Sequence, residues 1–217
     1  MNKILLTTRP DYDDGTAYLS YYTSLILRKA EELGIDNKDF HGNDLTVEKV
    51  IKYIIKKEPK LIFVNGHGNS ESLEGNKEDI LFSTDKNIEL LKNKIVYARA
   101  CHAGLSFGPK MVKDNKGCFI GYNTPFSFWI DGSRSSTPAK DKTAELFLLP
   151  SNEVMLSLIK GNDAETSNEK SKEMIIENMK KVLRMEEKKE PGAIGWLEIL
   201  WNNFDGQVLY GKRDICF

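Results

Sequence analysis

Residues 62–70 read IFVNGHGNS and residues 95–104 read IVYARACHAG. Each apolar run ends in a residue able to move a proton or attack a carbonyl. His67 stands between Gly66 and Gly68, and Cys101 follows Ala100 thirty-four residues later. An imidazole beside a thiol is a base beside a nucleophile. A free thiol, with a pKa of about 8.5, is only a few per cent ionised at neutral pH. A neighbouring His removes its proton and afterwards protonates a leaving amine. Gly66 and Gly68 permit positive φ and close approach of backbone to a substrate. The N–H groups of Gly68 and Cys101 are the expected donors to a tetrahedral oxyanion. Taken singly, a His-Gly is usually a turn and a strand-end Cys a small buried hydrophobe. Their pairing, strand-His-Gly followed by strand-Ala-Cys, makes the chemical reading the expected one.

Three other assignments compete for these residues. His102, directly after Cys101, is a second base, but adjacent residues at a strand end point to opposite faces, which favours His67. Cys101, His102, His67 and Cys118 include the ligand types of a zinc site, yet no C-x-x-C or H-x-x-x-H spacing joins them. NGHGNSESLEG follows a strand but lacks G-x-G-x-x-G and the Lys-Ser/Thr of a phosphate loop. No metal or other cofactor is expected.

The elements that must hold the two residues alternate in period. KILLTT (3–8), KLIFVNG (60–66), NKIVYARA (93–100) and GCFIGYN (117–123) read as buried strands, with KDFHG (38–42) a shorter one. Between them Leu19, Tyr22, Ile26, Ala30 and Leu33 recur at helical spacing before Gly34. Thr46 caps a second helix with Val47, Val50, Ile51 and Ile54 on one face, closed by Pro59. Strands apolar on both faces and separated by helices predict a mainly parallel sheet with right-handed crossovers, an α/β sandwich. In such a sheet ligands bind at the carboxyl ends of the strands, where His67 and Cys101 both lie.

KDKTAELFLL, NEVMLSLIKG and EKSKEMIIENMKKVLRMEE read as helices, with Ile175, Met179, Val182 and Leu183 on one face. Gly161 to Lys172 reads as polar and exposed, and Trp196, Leu197, Leu200, Trp201 and Phe204 as core or sheet-covering residues. The Met174–Leu183 face with Trp196 and Trp201 is a less favoured candidate for a partner surface. Residues 1–217 are taken as a single domain, an α/β core over 1–125 continued by a helix-rich part over 126–217.

A net charge of −1 gives no strong attraction to nucleic acid or to an anionic membrane. The opening MNKILLTTRPDYDD is too short in apolar residues for a secretory segment or a membrane span. Three cysteines, Cys101, Cys118 and Cys216, are too few and odd in number for a disulfide framework. A reducing cytoplasm is the expected setting.

FVNGHG followed by VYARACHAG resembles the catalytic core of the caspase-like (clan CD) cysteine peptidases, the group of caspases, metacaspases, legumain, gingipains, clostripain and separase. The resemblance spans roughly residues 1–125. It implies a caspase-like three-layer sandwich, here with C-terminal helical additions, and a cysteine endopeptidase acting through an acyl-enzyme. His67 would be the base, Cys101 the nucleophile, and Gly68 part of the oxyanion hole. The pentapeptide RACHA departs from the caspase Q-A-C-R-G, and the His-to-Cys interval is shorter than in caspases. No subunit-processing site is identified. In this group the residue two before the Cys commonly lines the pocket for the P1 side chain. That residue is Arg99, which with Arg9 would select an acidic P1. Asp131, Asp11 or Asp13 would instead select Arg or Lys. The expected partners are a protein or peptide substrate and a regulatory protein, in a stress or defence setting. The alternative is an inactive caspase-like scaffold, since fold alone does not establish activity.

Overall fold

A computed structural model of the chain describes residues 3–217. Four continuous apolar stretches form the centre of one sheet: β1 (Ile4–Arg9), β3 (Leu61–Asn65), β6 (Ile95–Arg99) and β7 (Cys118–Tyr122). With β2 (Asp36–His41) at one edge and β8 (Gln207–Gly211) at the other, the order is β2-β1-β3-β6-β7-β8. All pairings are parallel except the last, β7 with β8. This is the mixed α/β, mostly parallel architecture of a caspase-like sandwich. The short β4 (Ser72–Glu74) and β5 (Ile80–Ser83) form a separate antiparallel pair in the β3–β6 connection.

Strand parity divides the core in two. Leu61 and Phe63 of β3 and Ile95 and Tyr97 of β6 pack with residues of α1 (Asp14–Glu32) and α4 (Lys142–Ile159). Ile62, Val64, Val96, Ala98 and Ala100 pack on the opposite face, against α2 (Val47–Lys57) and α3 (Phe107–Val112). Because side chains alternate along a strand, both faces demand apolar residues, which is why these strands read as unbroken hydrophobic runs.

The helix ends follow their local chemistry. Asp13 and Thr16 make a reciprocal capping box at the start of α1, and the Thr46 side chain accepts the Lys49 N–H at the start of α2. KDKTAELFLL and NEVMLSLIKG turn out to be one helix, α4, running through Pro150. Proline withholds the hydrogen bond that the carbonyl four residues earlier would receive. That carbonyl belongs to Leu146, and the Asn178 side chain of α5 (Ala164–Glu187) donates to it at 2.7 Å. The interruption is repaired from outside the helix.

Two further expectations change. The stretch from Gly161 to Lys172 is mostly the first two and a half turns of α5, with Asp163 as its N-cap and Ser167 and Ser171 buried. Small hydroxyl residues there let α5 sit close to β8, where Ser171 Oγ donates to Gln207 Oε1 at 3.1 Å. GQVLYG supplies the closing strand β8, so the helix-rich part completes the sheet as well as covering it. Leu200 of α6 (Ala193–Gly206) is buried with Phe147, Ile175 and Val182, whereas Trp201 is 58% exposed and Leu183 46%.

Phe119 on β7 is a strong packing point. It is fully buried against Phe107 (ring centroids 6.1 Å apart), and Gly108 and Gly121 leave room for its ring. Replacing it with Ala removes a large side chain from a site that cannot collapse onto two glycines. The expected loss is about 3–5 kcal/mol, measurable as a lower urea midpoint with an unchanged m-value.

Candidate active site

In the β3–β6 register Asn65 is opposite Arg99, so His67 and Cys101 each lie two residues past a matched pair. The ladder continues one step beyond β3, with the Gly66 N–H donating to the Arg99 carbonyl at 3.3 Å. Continuing the parity of each strand puts His67 and Cys101 toward the face of α1 and α4, and Ala100 toward the other. Neighbouring strands are about 4.8 Å apart, and the two loops are tied to each other as well. The Phe107 N–H donates to Ser70 O at 2.8 Å, and a Cβ placed on Gly68 would stand 3.0 Å from Ala100 Cβ and 2.9 Å from Ser72 O. Gly66, at φ +131° with Pro10 3.1 Å from its would-be Cβ, makes the bend that carries the chain into His67.

The loop bearing His67 is held by its own backbone. The His67 carbonyl accepts the Glu74 N–H at 3.1 Å, and Asn69 Oδ1 accepts the N–H groups of Glu71 and Ser72. Around Cys101, the His102 N–H donates to Thr124 O and the Gly104 N–H to Tyr122 O. These bonds fasten the turn that carries Cys101 to the exit of β7. Among the described residues, neither the Gly68 N–H nor the Cys101 N–H donates to another protein group.

The imidazole of His67 is half exposed, and its Nε2 is 3.0 Å from Asp13 Oδ2. A carboxylate only accepts at that distance, so Nε2 carries the proton and Nδ1 is left as the basic nitrogen. Asp13 therefore acts twice, as N-cap of α1 and as partner of His67. Burial, the largest single influence, pushes its carboxyl up. The Thr16 backbone and side chain together with His67 outweigh it and hold the carboxyl below the usual range. His102 adopts the left-handed conformation at φ +60°, and its Nδ1 is 3.3 Å from Asn123 O. Bonding to a carbonyl makes Nδ1 a donor, so that nitrogen is no base for the thiol. Cys101 is half-buried with Sγ 4.0 Å from Phe126 O. Burial first, and then the negative charge of Glu74, raise its thiol above the ordinary value.

The residues expected to read P1 fare differently. Arg99 has no exposed surface and lines no open pocket. Its Nε donates to Asn65 Oδ1 at 2.7 Å, Nη1 to Ser151 Oγ and Asn152 Oδ1, and Nη2 to Leu19 O and Thr23 Oγ1. The guanidinium also lies over Phe63, 4.8 Å from the ring centre. Taking a cation out of water costs several kcal/mol even after relaxation. Hydrogen bonds from a charged donor return roughly 1.5–3 kcal/mol each, so five are on the scale needed to offset it. Burial lowers its pKa to about 10, which leaves it charged at neutral pH. Arg9 is likewise committed, its Nε 2.9 Å from Asp39 Oδ1, and Asp11 pairs with His41. The acidic-P1 expectation loses both of its arginines. Asp131 is on the loop after β7, where its carboxylate caps Ser133.

Sequence reasoning weighed Asp13 only as a pocket charge and missed both its contact with His67 and the proximity of Glu74 to Cys101. One signal for Asp13 was present: D-x-x-T before a helical run marks an N-cap, and α1 begins directly after β1, the neighbour of β3. Among the described residues no three His, Cys, Asp or Glu side chains group as a metal site, and no helix is long and apolar enough to cross a membrane.

The mainly parallel sheet and its flanking crossover helices define a caspase-like architecture. No family model and no curated protein matches the chain. Among solved structures it is similar to the Porphyromonas gingivalis gingipain in the complex of RgpB pro- and mature domains, with a TM-score of 0.55 and 13% identity. The match covers 99% of this chain and 48% of that one, so the chain spans about half the length of the structure it resembles. At that identity the likeness is one of fold.

Asp13→Asn isolates the second role of Asp13, because Asn caps a helix as well as Asp while leaving His67 without an anion. Thermal stability near neutral pH should fall slightly, while any turnover dependent on His67 should fall on the order of 10²-fold. With its carboxyl held low in the fold, Asp13 contributes stability above the unfolded carboxylate pKa of about 3.9, lost as pH falls through the lower folded value. The Asn variant should therefore show a flatter stability profile below about pH 4 in urea titrations.

Proposed function

We propose that the chain is a cysteine endopeptidase in which Cys101 is the nucleophile and His67, oriented by Asp13, the general base and acid. The observation that carries this reading is the shared register. A thiol and an imidazole stand at the same offset past the paired Arg99 and Asn65, each just beyond the end of one of two adjacent parallel strands. The caspase-like fold, which it shares with a gingipain, supports the reading at the level of class.

Catalysis would begin from a neutral thiol, since burial and Glu74 hold Cys101 above the ordinary range. His67 Nδ1 takes the thiol proton as Sγ adds to the scissile carbonyl carbon. The oxygen becomes an oxyanion, for which the uncommitted N–H groups of Gly68 and Cys101 are the proposed donors. Collapse of that intermediate breaks the C–N bond, and His67 delivers its proton to the amine. Water, deprotonated by His67, then releases the acyl group and restores the thiol. Glu74 near the nucleophile and Asp131 on the neighbouring loop favour a cationic side chain beside the scissile bond. The RgpB structure joins pro- and mature domains. A protein partner controlling access to the crevice belongs to the same proposal.

Cys101→Ala should abolish cleavage of a fluorogenic peptide panel that wild type cleaves, with Arg- and Lys-P1 members cut best. Equal cleavage by the variant would assign the activity elsewhere. Gly68→Ala, whose new methyl would press on Ser72 O and Ala100, should lose most of the turnover that remains specific to Cys101. An interaction module on the same fold predicts something else in a thiol-alkylation assay at neutral pH. Buried Cys118, with its thiol pushed up to about 12, should be slow in either case. Under the peptidase reading Cys101 slows in His67→Ala while exposed Cys216, the internal reference, does not. Under the scaffold reading Cys101 is unaffected by that substitution.

A further inference from the structure

The strands that end before His67 and Cys101 begin at a concentration of positive charge. Lys60 and Lys94 directly precede β3 and β6, each one residue before the matched pair Leu61 and Ile95. The Ile95 N–H donates to the Lys60 carbonyl at 2.9 Å, so the two lysines enter the sheet side by side. Like charges so placed on neighbouring strands repel. With Lys3, Lys56, Lys57 and Lys92 they line one depression of about 700 Å³. The carboxylates lining it are Asp36 and Glu58, so six ammonium groups share it with two anions in a chain whose net charge is −1. Local structure accounts for part of this. Lys56 and Lys57 are in the last turn of α2, where the helix dipole favours cations. Lys92 is paired with Glu89 at 2.5 Å, and Lys3 Nζ lies 5.9 Å from the Phe217 ring centre. Lys60 and Lys94 have neither reason. Among the described residues, Lys56, Lys57, Lys60 and Lys94 form no ion pair. Lys94 is in addition partly buried. Desolvation lowers its pKa, and the charge of Glu58 offsets this only in part.

The chemistry of the depression fits one class of occupant. Its size is that of a small-molecule site, whereas a nucleic-acid duplex spreads one charge per about 1.7 Å along a rod. Among the described residues that line it there is no aromatic ring on which the bases of a single strand could stack. There is also no arginine, the residue whose planar fork matches a carboxylate. Lysine is a compact point charge that binds phosphate oxygens without a fixed plane. Four lysines without ion-pair partners in one depression match a ligand carrying several negative charges within a few ångströms of each other, as linked phosphate groups do. We propose that this depression binds a compact polyphosphate, free or as the triphosphate of a nucleotide, through Lys56, Lys57, Lys60 and Lys94. The bound anion relieves the repulsion between Lys60 and Lys94 and completes the solvation that burial removes from Lys94. The site is at the amino ends of β3 and β6, whereas His67 and Cys101 follow their carboxyl ends. The inference is independent of the peptidase reading.

The test is isothermal titration calorimetry of the full chain with sodium tripolyphosphate near neutral pH, and it needs no peptide cleavage. Wild type should bind saturably, with affinity that weakens as salt is raised. Lys60→Gln/Lys94→Gln should bind on the order of tenfold more weakly or worse. Its urea midpoint without ligand should be equal to that of wild type or higher, because the repulsion is gone. Lys60→Arg/Lys94→Arg keeps both charges and should stay within about threefold of wild type. Lys180→Gln/Lys188→Gln on α5, outside the depression, makes the same change in net charge and should bind as wild type does. ATP separates the two sources of the phosphates. Affinity equal to that of tripolyphosphate assigns recognition to the phosphate chain alone, and a clear gain assigns the site to a nucleotide. Absence of saturable binding to both ligands overturns the proposal. So does a loss in the α5 variant as large as that in the Lys60 and Lys94 variant, which would mean unspecific charge attraction. Tighter binding of an oligoglutamate peptide or a single-stranded oligonucleotide than of tripolyphosphate overturns the ligand class. If the Lys60 and Lys94 variant fails to fold, Lys56→Gln/Lys57→Gln on the exposed last turn of α2 carries the test, and unchanged affinity there refutes the site.

Discussion

Arg99 Nε donates to Asn65 Oδ1 at 2.7 Å between two strands in the middle of the sheet. Much of the architecture around the two strand ends depends on this contact. It joins the last residues of β3 and β6 where the ladder ends and places polar groups in a layer that is otherwise Leu, Ile, Phe and Tyr. A slip of one residue would turn every side chain on one strand to the other face and bury a guanidinium against α2 and α3, which offer apolar partners. The register is therefore specified by the cost of misplacing a charge as well as by the apolar pattern. Because it is specified, His67 and Cys101 each follow two places past a matched pair.

The same network couples the sheet to the helices that carry the remaining groups. Arg99 reaches Leu19 and Thr23 of α1, whose N-cap Asp13 meets His67, and Ser151 and Asn152 of α4. Asn152 in turn donates to the Tyr22 carbonyl at 2.7 Å, and Asn65 to the Thr8 carbonyl at 2.8 Å. A substitution in this layer reaches His67 and Cys101 only through α1 and the strand ends. Buried polar networks of this kind specify one arrangement when every member is satisfied, and here each named group has its partner.

The helix-rich C-terminal part serves the site less directly. Its strand β8 closes the sheet beside β7, and the α6 side chain of Asn203 accepts the Ser127 N–H and donates to Ser127 O. That pair steadies the segment after β7, whose Phe126 carbonyl lies against the Cys101 sulfur. Much of this was hard to read in advance. QVLYG is short and half-polar because an edge strand buries only part of its surface, and its partner β7 is some ninety residues earlier in the chain. The two stretches either side of Pro150 read as separate helices, and the bond that repairs the helix there comes from Asn178 on another helix. Ser167 and Ser171 gave α5 a polar start that resembled a loop.

Local rules were enough wherever a segment's own pattern sets its free energy. The unbroken apolar runs of β1, β3, β6 and β7, the cap at Thr46, and the two strand ends bearing His67 and Cys101 follow from burial, periodicity and capping within a few neighbouring residues. Long-range contacts decided the remainder. Arg99, read as a pocket residue by its place before the cysteine, became an interior charge because α1 and α4 bring five neutral acceptors to it from far along the chain. Asp13 gained His67 as a partner through the pairing of β1 with β3. Sequence by itself determined which residues can do chemistry at the strand ends. Only the tertiary structure decided which charges face them, because the cost of a buried charge depends on partners that no local window contains.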